Sequence, residues 1–588
     1  MTINANVKAL PLILLMALAF VTLPNYGLTF IRSNTAIAQQ EDTGSLESGL
    51  LSLQNVTGTP TLLNSTDPLV LSPEEQYTGP PREVTEPGVP NATLLQKDKL
   101  RAQNNTELLA EELEKSKENF TSDQPLTPQS SQSTIPKVPI DSLFLPGNDT
   151  TTGTTTATTT TAVIGNITSE IPSAVQNYAS FKGLDSEVAG RWRPSDSALA
   201  VGPTHVVEMV NLQGAIFNRQ GDVISIFSVR NFFEIEPDHS IADPKVLFDN
   251  GSNRWFASLM DLTSDSVHLA VSSSEDALER WFVYNFPFSN CADQPIIGVS
   301  SDKLAISVNT FTNHCQRPNS YSGVQYTIVN KTDLVQHNPS PSFVQSSPNT
   351  EVFSLHPLDH QEPFSESTIY MVSVGSSTSS SVLLLSLDGT VQNLQSDISF
   401  LPIRLTRAPP DAQQNSTLRL VETNDARVLD AEAYNGRIWI TFNDSCIPPN
   451  DASIRACIRL IELDAINKQV LQDFNIGRTS SYLFFPSISV SDNGSSVGII
   501  YQSSNKTTYP SLWFSVHNKA NGAHTIEQPI PLQIGPSPVG TDRKGDYQTA
   551  IADPYYRGHI WVVGEYHPLP SLPPPNWDTV IAVFRTGT

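Results

Sequence analysis

Six carboxylates stand at or near the head of short apolar runs: Asp196, Asp243, Asp293, Asp430, Glu432 and Asp546. Carried by several strands to one central channel, such side chains can hydrogen-bond sugar hydroxyls, hold a hard cation, or divide into the acid and base of glycosidic cleavage. His205, Glu208 and Glu565 occupy comparable runs and extend the set. The plainer use of every one of these groups is to hydrogen-bond a turn or a strand end. Arg191, Arg193, Arg254, Arg404 and Arg407 supply cations for an anionic ligand, although separate ion pairs and solvated surfaces explain them as simply.

Other chemistries find less footing. Calcium fits better than a transition metal, because Asp492, Asn493 and Gly494 and the channel aspartates offer hard oxygen ligands, yet no twelve-residue calcium loop occurs. The 11 histidines form no zinc-hydrolase pattern, and no phosphate-cradling or dinucleotide-binding glycine motif is present. Tyr326 and other aromatics near basic residues do not make an RNA-binding module. With 35 Lys and Arg against 59 Asp and Glu, the net charge of −24 excludes general nucleic-acid binding.

The elements that would position the carboxylates recur. Seven openings are visible: 196–202, 243–249, 293–299, a run near Glu351, 428–434 around Asp430, 485–492 around Pro486, and 545–554 around Asp546. Each combines a polar start with a short apolar strand, and β-rich returns follow, as at 253–257 and 436–442. Intervals of roughly 50 to 80 residues suit four-stranded blades with unequal loops, closed radially so that sheet edges are sheltered. The expected fold is all-β, a seven-bladed β-propeller over residues 181–588, with six or eight blades as alternatives. Trp255 and Trp439 are expected to fill gaps between blades. The run 579–585 is expected to close the ring on an early strand around 180–190.

Ahead of this body the chain reads differently. Lys8, an apolar run at 9–23 and the small-x-small triplet Ala36, Ile37, Ala38 read as a signal peptide over residues 1–38, with an uncleaved anchor over 9–31 as the alternative. Residues 39–180 read as a disordered Pro/Thr-rich stalk, with ten threonines between Asp149 and Ala162 and a possible short helix at 94–118. Thirteen glycosylation sequons, at Asn55, Asn64, Asn91, Asn104, Asn119, Asn148, Asn166, Asn250, Asn330, Asn415, Asn443, Asn493 and Asn505, fit an exported chain. The four cysteines suit local disulfides, Cys291 with Cys315 and Cys446 with Cys457, among three formal pairings. The expected location is secreted or at the cell surface.

The run 196–211, the run 243–249 with Arg254 and Trp255, the triplet Gly545, Asp546 and Tyr547, the run 561–566, and Asn576 with Trp577 resemble a family of secreted propeller-like proteins, sialidase-like or glycosidase-like in fold. The resemblance spans about residues 185–588 and implies the fold without implying hydrolysis. The sialidase Asp-box occurs only as approximate fragments at 491–495 and 386–390, and no arginine triad can be assigned. The resulting expectation is an extracellular scaffold for protein or carbohydrate binding or adhesion, with membrane contact only through an uncleaved anchor. The alternatives are a glycoside hydrolase using channel carboxylates and a structural envelope component.

Overall fold

A computed structural model describes residues 175–586, apart from breaks at 187–188, 190–193, 316–318, 361–365, 376–377, 492–493, 495, 521–522, 527–528, 540–544 and 570–576, together with two dipeptides near the N terminus. The signal segment, the helix at 94–118, Arg191, Arg193, Asp492 and eight of the thirteen sequons lie outside the described residues.

Seven sheets form seven blades. Their innermost strands are, in chain order, Ala198–Val201, Ile241–Asp249, Cys291–Val299, His356–Pro357, Val428–Tyr434, Tyr482–Val490 and Thr549–Ala552. Each is followed by antiparallel partners, as in blade one, where His205–Met209, Gln213–Asn218 and Val223–Ser228 succeed the first strand. Asp359–His360 adds a parallel contact from the blade-four connection onto the inner strand of blade five. The dipeptides Leu53–Gln54 and Thr61–Leu62 pair with the outer strands of blades three and two.

The seventh blade is shared by the two ends of the described body. Val175–Asp185 pairs antiparallel with Asp578–Thr586, placing Phe181 opposite Ile581. The expected closure by the C-terminal run is therefore the observed one, and its partner strand begins at Val175.

No single core serves the molecule. Apolar side chains gather into wedges between successive blades, because each sheet is covered on both faces by its neighbours. Trp255 with Val207 and Ile216 joins blades one and two, and Trp439 with Ile488 and Ile499 joins five and six. Trp561 with Val206 and Phe217 joins seven to one. The two tryptophans expected to fill gaps do so. Gly202 is required beside Trp255, since a Cβ there would lie 2.3 Å from the indole. Middle strands such as Lys303–Phe311 are buried almost end to end, whereas an outer strand such as Gln395–Pro402 is largely solvated.

Candidate functional site

The inner strands enter the ring through a repeated backbone irregularity. Asp196, Asp243, Gln294, Ser354 and Phe485, at the openings of five blades, all have φ between 50° and 55°. This left-handed geometry is costly for residues other than glycine. Pairing registers shift at the same places, between Ala242 and Lys245, Asp293 and Ile296, and Phe484 and Ser487. A bulge of this kind re-aims the backbone out of the ladder.

Buried asparagines from the preceding blade hold these bulges. The N–H of Asp243 donates to Asn211 Oδ1, that of Ser354 to Asn309 Oδ1, and that of Phe485 to Asn443 Oδ1, each at 2.8 Å. Asn211 also donates to Pro194 O at 2.8 Å and Asp196 Oδ2 at 2.9 Å, and Asn443 donates to Thr423 O at 2.8 Å. A satisfied amide in a dry wedge offsets the strained backbone, since a buried N–H without a partner costs about 1–3 kcal/mol. Asn211 and Asn309 carry no signal of this role in the sequence and Asn443 only that of a glycosylation sequon, although each follows an apolar run in a second strand.

The bulges bring four of the expected carboxylates to one mouth of the channel. Asp196 Oδ1 accepts from the Asp546 N–H at 3.0 Å, and the Tyr547 hydroxyl reaches toward Asp243 Oδ2 at 3.5 Å. The buried phenol feels Asp243, Asp546, Asp293 and Asp196 together; burial first, and then these carboxylates, hold its proton on. Burial also pushes Asp243 well above the usual carboxylate range, reinforced by Asp196 and Asp293 and opposed by Lys245. Arg427 braces the same mouth, with Nε and Nη2 on Asp425 at 2.8 and 2.7 Å and Nη1 on Gln294 Oε1 at 2.6 Å.

Below the mouth lies a cavity of about 120 Å³, lined by residues of all seven blades, among them Lys245, His356, Asp430, Glu432, Tyr547 and Gln548. Asp430 and Glu432 face it but are committed to the wall. Asp430 Oδ2 accepts from Ser487 Oγ at 2.5 Å and the Ile488 N–H at 2.9 Å, while Glu432 Oε2 accepts from the Val490 N–H at 2.5 Å. Both carboxyls are pushed up by burial, Glu432 strongly. His356 is fully enclosed, and burial lowers its imidazole to about 4. Lys245 Nζ lies 3.5 Å from the centroid of the Tyr547 ring.

The remaining expected residues are placed elsewhere. His205, at the far end of blade one, meets Asp276 at 3.3 Å. Glu208 and Glu565 bind backbone at the junction of blades seven and one, through the N–H groups of Leu184 and Ser195. Arg254 donates to Asn253 O at a turn, Arg404 faces Asp473, and the Arg407 N–H donates to Asp444. Of the described sequons, Asn443 is fully buried with both ends of its amide engaged, which leaves no room for a glycan in the folded state. Among the described residues no group of three or more His, Cys, Asp or Glu side chains is arranged to hold a metal. No helix among them is long and apolar enough to cross a membrane.

The cysteines pair as expected, Cys291 with Cys315 and Cys446 with Cys457. Both bonds brace loops at the end of the ring where the carboxylates converge. Lys245 and Tyr547 were not selected as candidates; the available signal was one cation inside the otherwise apolar run 245–248.

No family model matches the chain, and no curated protein matches it in sequence. Among solved structures, the WD40 domain of Pan2 from Neurospora crassa is similar over 71% of this chain and 98% of that chain, with 10% identity and a TM-score of 0.36. A hypothetical selenium-binding protein from Sulfolobus tokodaii is similar over 56% and 76%, with 10% identity and a TM-score of 0.35. A polysaccharide lyase described as an ulvan lyase is similar over 55% and 77%, with 8% identity and a TM-score of 0.32.

Proposed function

We propose that this propeller is an extracellular binding scaffold that takes carbohydrate at the channel mouth, held at the cell surface or secreted. The observation that carries the reading is the convergence of Asp196, Asp243, Asp293 and Asp546 around the Tyr547 hydroxyl. Carboxyl oxygens can accept from sugar hydroxyls and the Tyr547 hydroxyl can donate to them, and a closed ring holds these groups rigidly enough to select among hydroxyl patterns. Two disulfides at the same end suit an oxidising environment and fix the loops that would contact a larger ligand.

A glycan array probed with the full chain tests this: retention of one ligand class, lost in Asp243→Asn and Asp546→Ala, is the expected result. Binding that survives both substitutions would move the site away from the mouth, and an array without retention would end the carbohydrate reading.

One observation favours hydrolysis as the second reading. Burial pushes the Asp243 carboxyl well above the usual carboxylate range, while neighbouring Asp196 has two oxygens that accept from Asn211 and the Asp546 N–H, so adjacent carboxyls sit in different surroundings in the manner of an acid and its partner. Products from a polysaccharide panel that disappear with Asp243→Asn would establish that reading over simple binding.

A further inference from the structure

We infer that Lys245 is a nucleophilic amine site, and that the cavity below the channel mouth admits small neutral aldehydes that condense with its Nζ. This goes beyond glycan binding by the mouth and does not depend on it.

Three observations converge on this lysine. It enters the cavity from the inner strand of blade two, two residues after the Asp243 bulge that re-aims the strand. Its amine rests 3.5 Å from the Tyr547 ring centroid, and among the described residues it has neither a hydrogen bond nor an ion pair. Of the three N–H donors of an ammonium the Tyr547 ring face meets one, and the others have no hydrogen-bond partner among the described residues, a cost that the neutral amine largely escapes.

The cavity wall is mixed: Leu199, Ile296, Ile297 and Ile551 supply apolar surface that disfavours a charge, while Asp359, Asp430 and Glu432 supply carboxyls that favour one. Burial accordingly lowers the Lys245 pKa, against the opposing pull of Asp243, Asp196, Asp430 and Asp546. Desolvation in an apolar pocket is one established way of making a lysine nucleophilic. By contrast, Lys182, Lys303, Lys331 and Lys468 are each paired with an aspartate.

The step balances without a further reactant. The Nζ lone pair adds to the carbonyl carbon, the amine's two protons leave with the carbonyl oxygen as water, and a C=N bond replaces N–H and C=O bonds. The neutral imine then occupies the cavity without the charge that burial opposed.

The full chain can be incubated at pH 7 with glycolaldehyde as the probe, with sodium cyanoborohydride to trap imines as secondary amines, and mapped by peptide mass spectrometry over time. Lys506, exposed in a turn, serves as the internal reference. The expected result is modification of Lys245 at least about fivefold faster than Lys506, with the fast site abolished in Lys245→Arg and Lys506 unaffected. Modification of Lys245 at or below the Lys506 rate in the wild-type chain would overturn the inference, and this comparison requires no variant to fold. A glycan array without hits would leave the labelling ratio unchanged, so failure of one reading is distinguishable from failure of the other.

Discussion

Glu208→Gln should make the ring more stable at neutral pH and remove part of its pH dependence. Glu208 is fully buried where blade one meets the closing strands of blade seven. Its Oε2 accepts from the Leu184 N–H at 2.8 Å, and its Oε1 lies 2.6 Å from Thr579 Oγ1, which is 2.9 Å from Leu184 O. The threonine has one hydroxyl proton for two acceptors. A neutral Glu208 brings a proton of its own, donates to Thr579, and lets Thr579 donate to Leu184 O, so every group is satisfied. Burial, opposed by those hydrogen bonds and aided by the nearby Asp185 charge, raises the carboxyl from 4.5 to about 7.

At about 1.36 kcal/mol per unit, that shift corresponds to about 3 kcal/mol. Because the folded-state pKa is the higher one, this stability is fully present below pH 4.5, declines as pH rises toward 7, and is absent above it. Glutamine keeps one acceptor for Leu184 and one donor for Thr579 without titrating. Unfolding of the two proteins by denaturant should therefore differ little at pH 4.5 and by up to about 3 kcal/mol at pH 8, in favour of the variant. In a cooperative melt of about 400 residues this is about 4 °C. The ion pairs of Lys182 with Asp185 and Asp578 at the same junction are present in both proteins. A difference that stays constant between pH 4.5 and 8, or a variant less stable at pH 8, would refute the reasoning.

Asn443→Ala should cost about 1–3 kcal/mol in equilibrium unfolding, because the Phe485 N–H and Thr423 O both lose their buried partner. Trp561→Ala should cost about 3–5 kcal/mol, by emptying the wedge between blades seven and one and removing the indole N–H from Asp553. Reduction of the disulfides, which close spans of 24 and 11 residues, should lower the melting temperature by an amount equivalent to about 3 kcal/mol each in the chain-entropy account. Replacing Cys446 and Cys457 together by serine should remove only the second contribution.

The architecture was legible because its repeat is written twice, in the polar openings and in the aromatic second strands. Asp196, Asp243, Asp293 and Asp546 all mark true blade entrances, and Trp255 and Trp439 fill true inter-blade gaps. The weak fourth opening near Glu351 corresponds to the shortest inner strand, His356–Pro357, where too few residues carry the pattern. What the side chains do was less legible. Asp430 and Glu432 stand among the expected channel carboxylates and line the cavity, and they also hold the inner strand of blade six; an acidic residue beside an apolar run reads alike in both settings. Asn443 satisfied the glycosylation pattern while serving as an internal clamp, because a tripeptide carries no information about burial. Lys245 and Tyr547 meet only when blades two and seven are brought around one axis, a relation between residues about 300 apart that no local pattern encodes.

The closing strand also imposes an order in time. Thr579 and Leu184, which meet at the seam, are 395 residues apart in sequence, so bringing them together costs about 5 kcal/mol of loop entropy if the intervening blades are not yet formed. At 5–20 residues per second, synthesis of that interval takes about 20–80 s. Val175–Asp185 is thus made early and waits with an unpaired edge until the last strand, Asp578–Thr586, exists. A chain that stops short, even by one strand, leaves its first one without a partner. The seam makes synthesis through Thr586 a condition for sealing the fold.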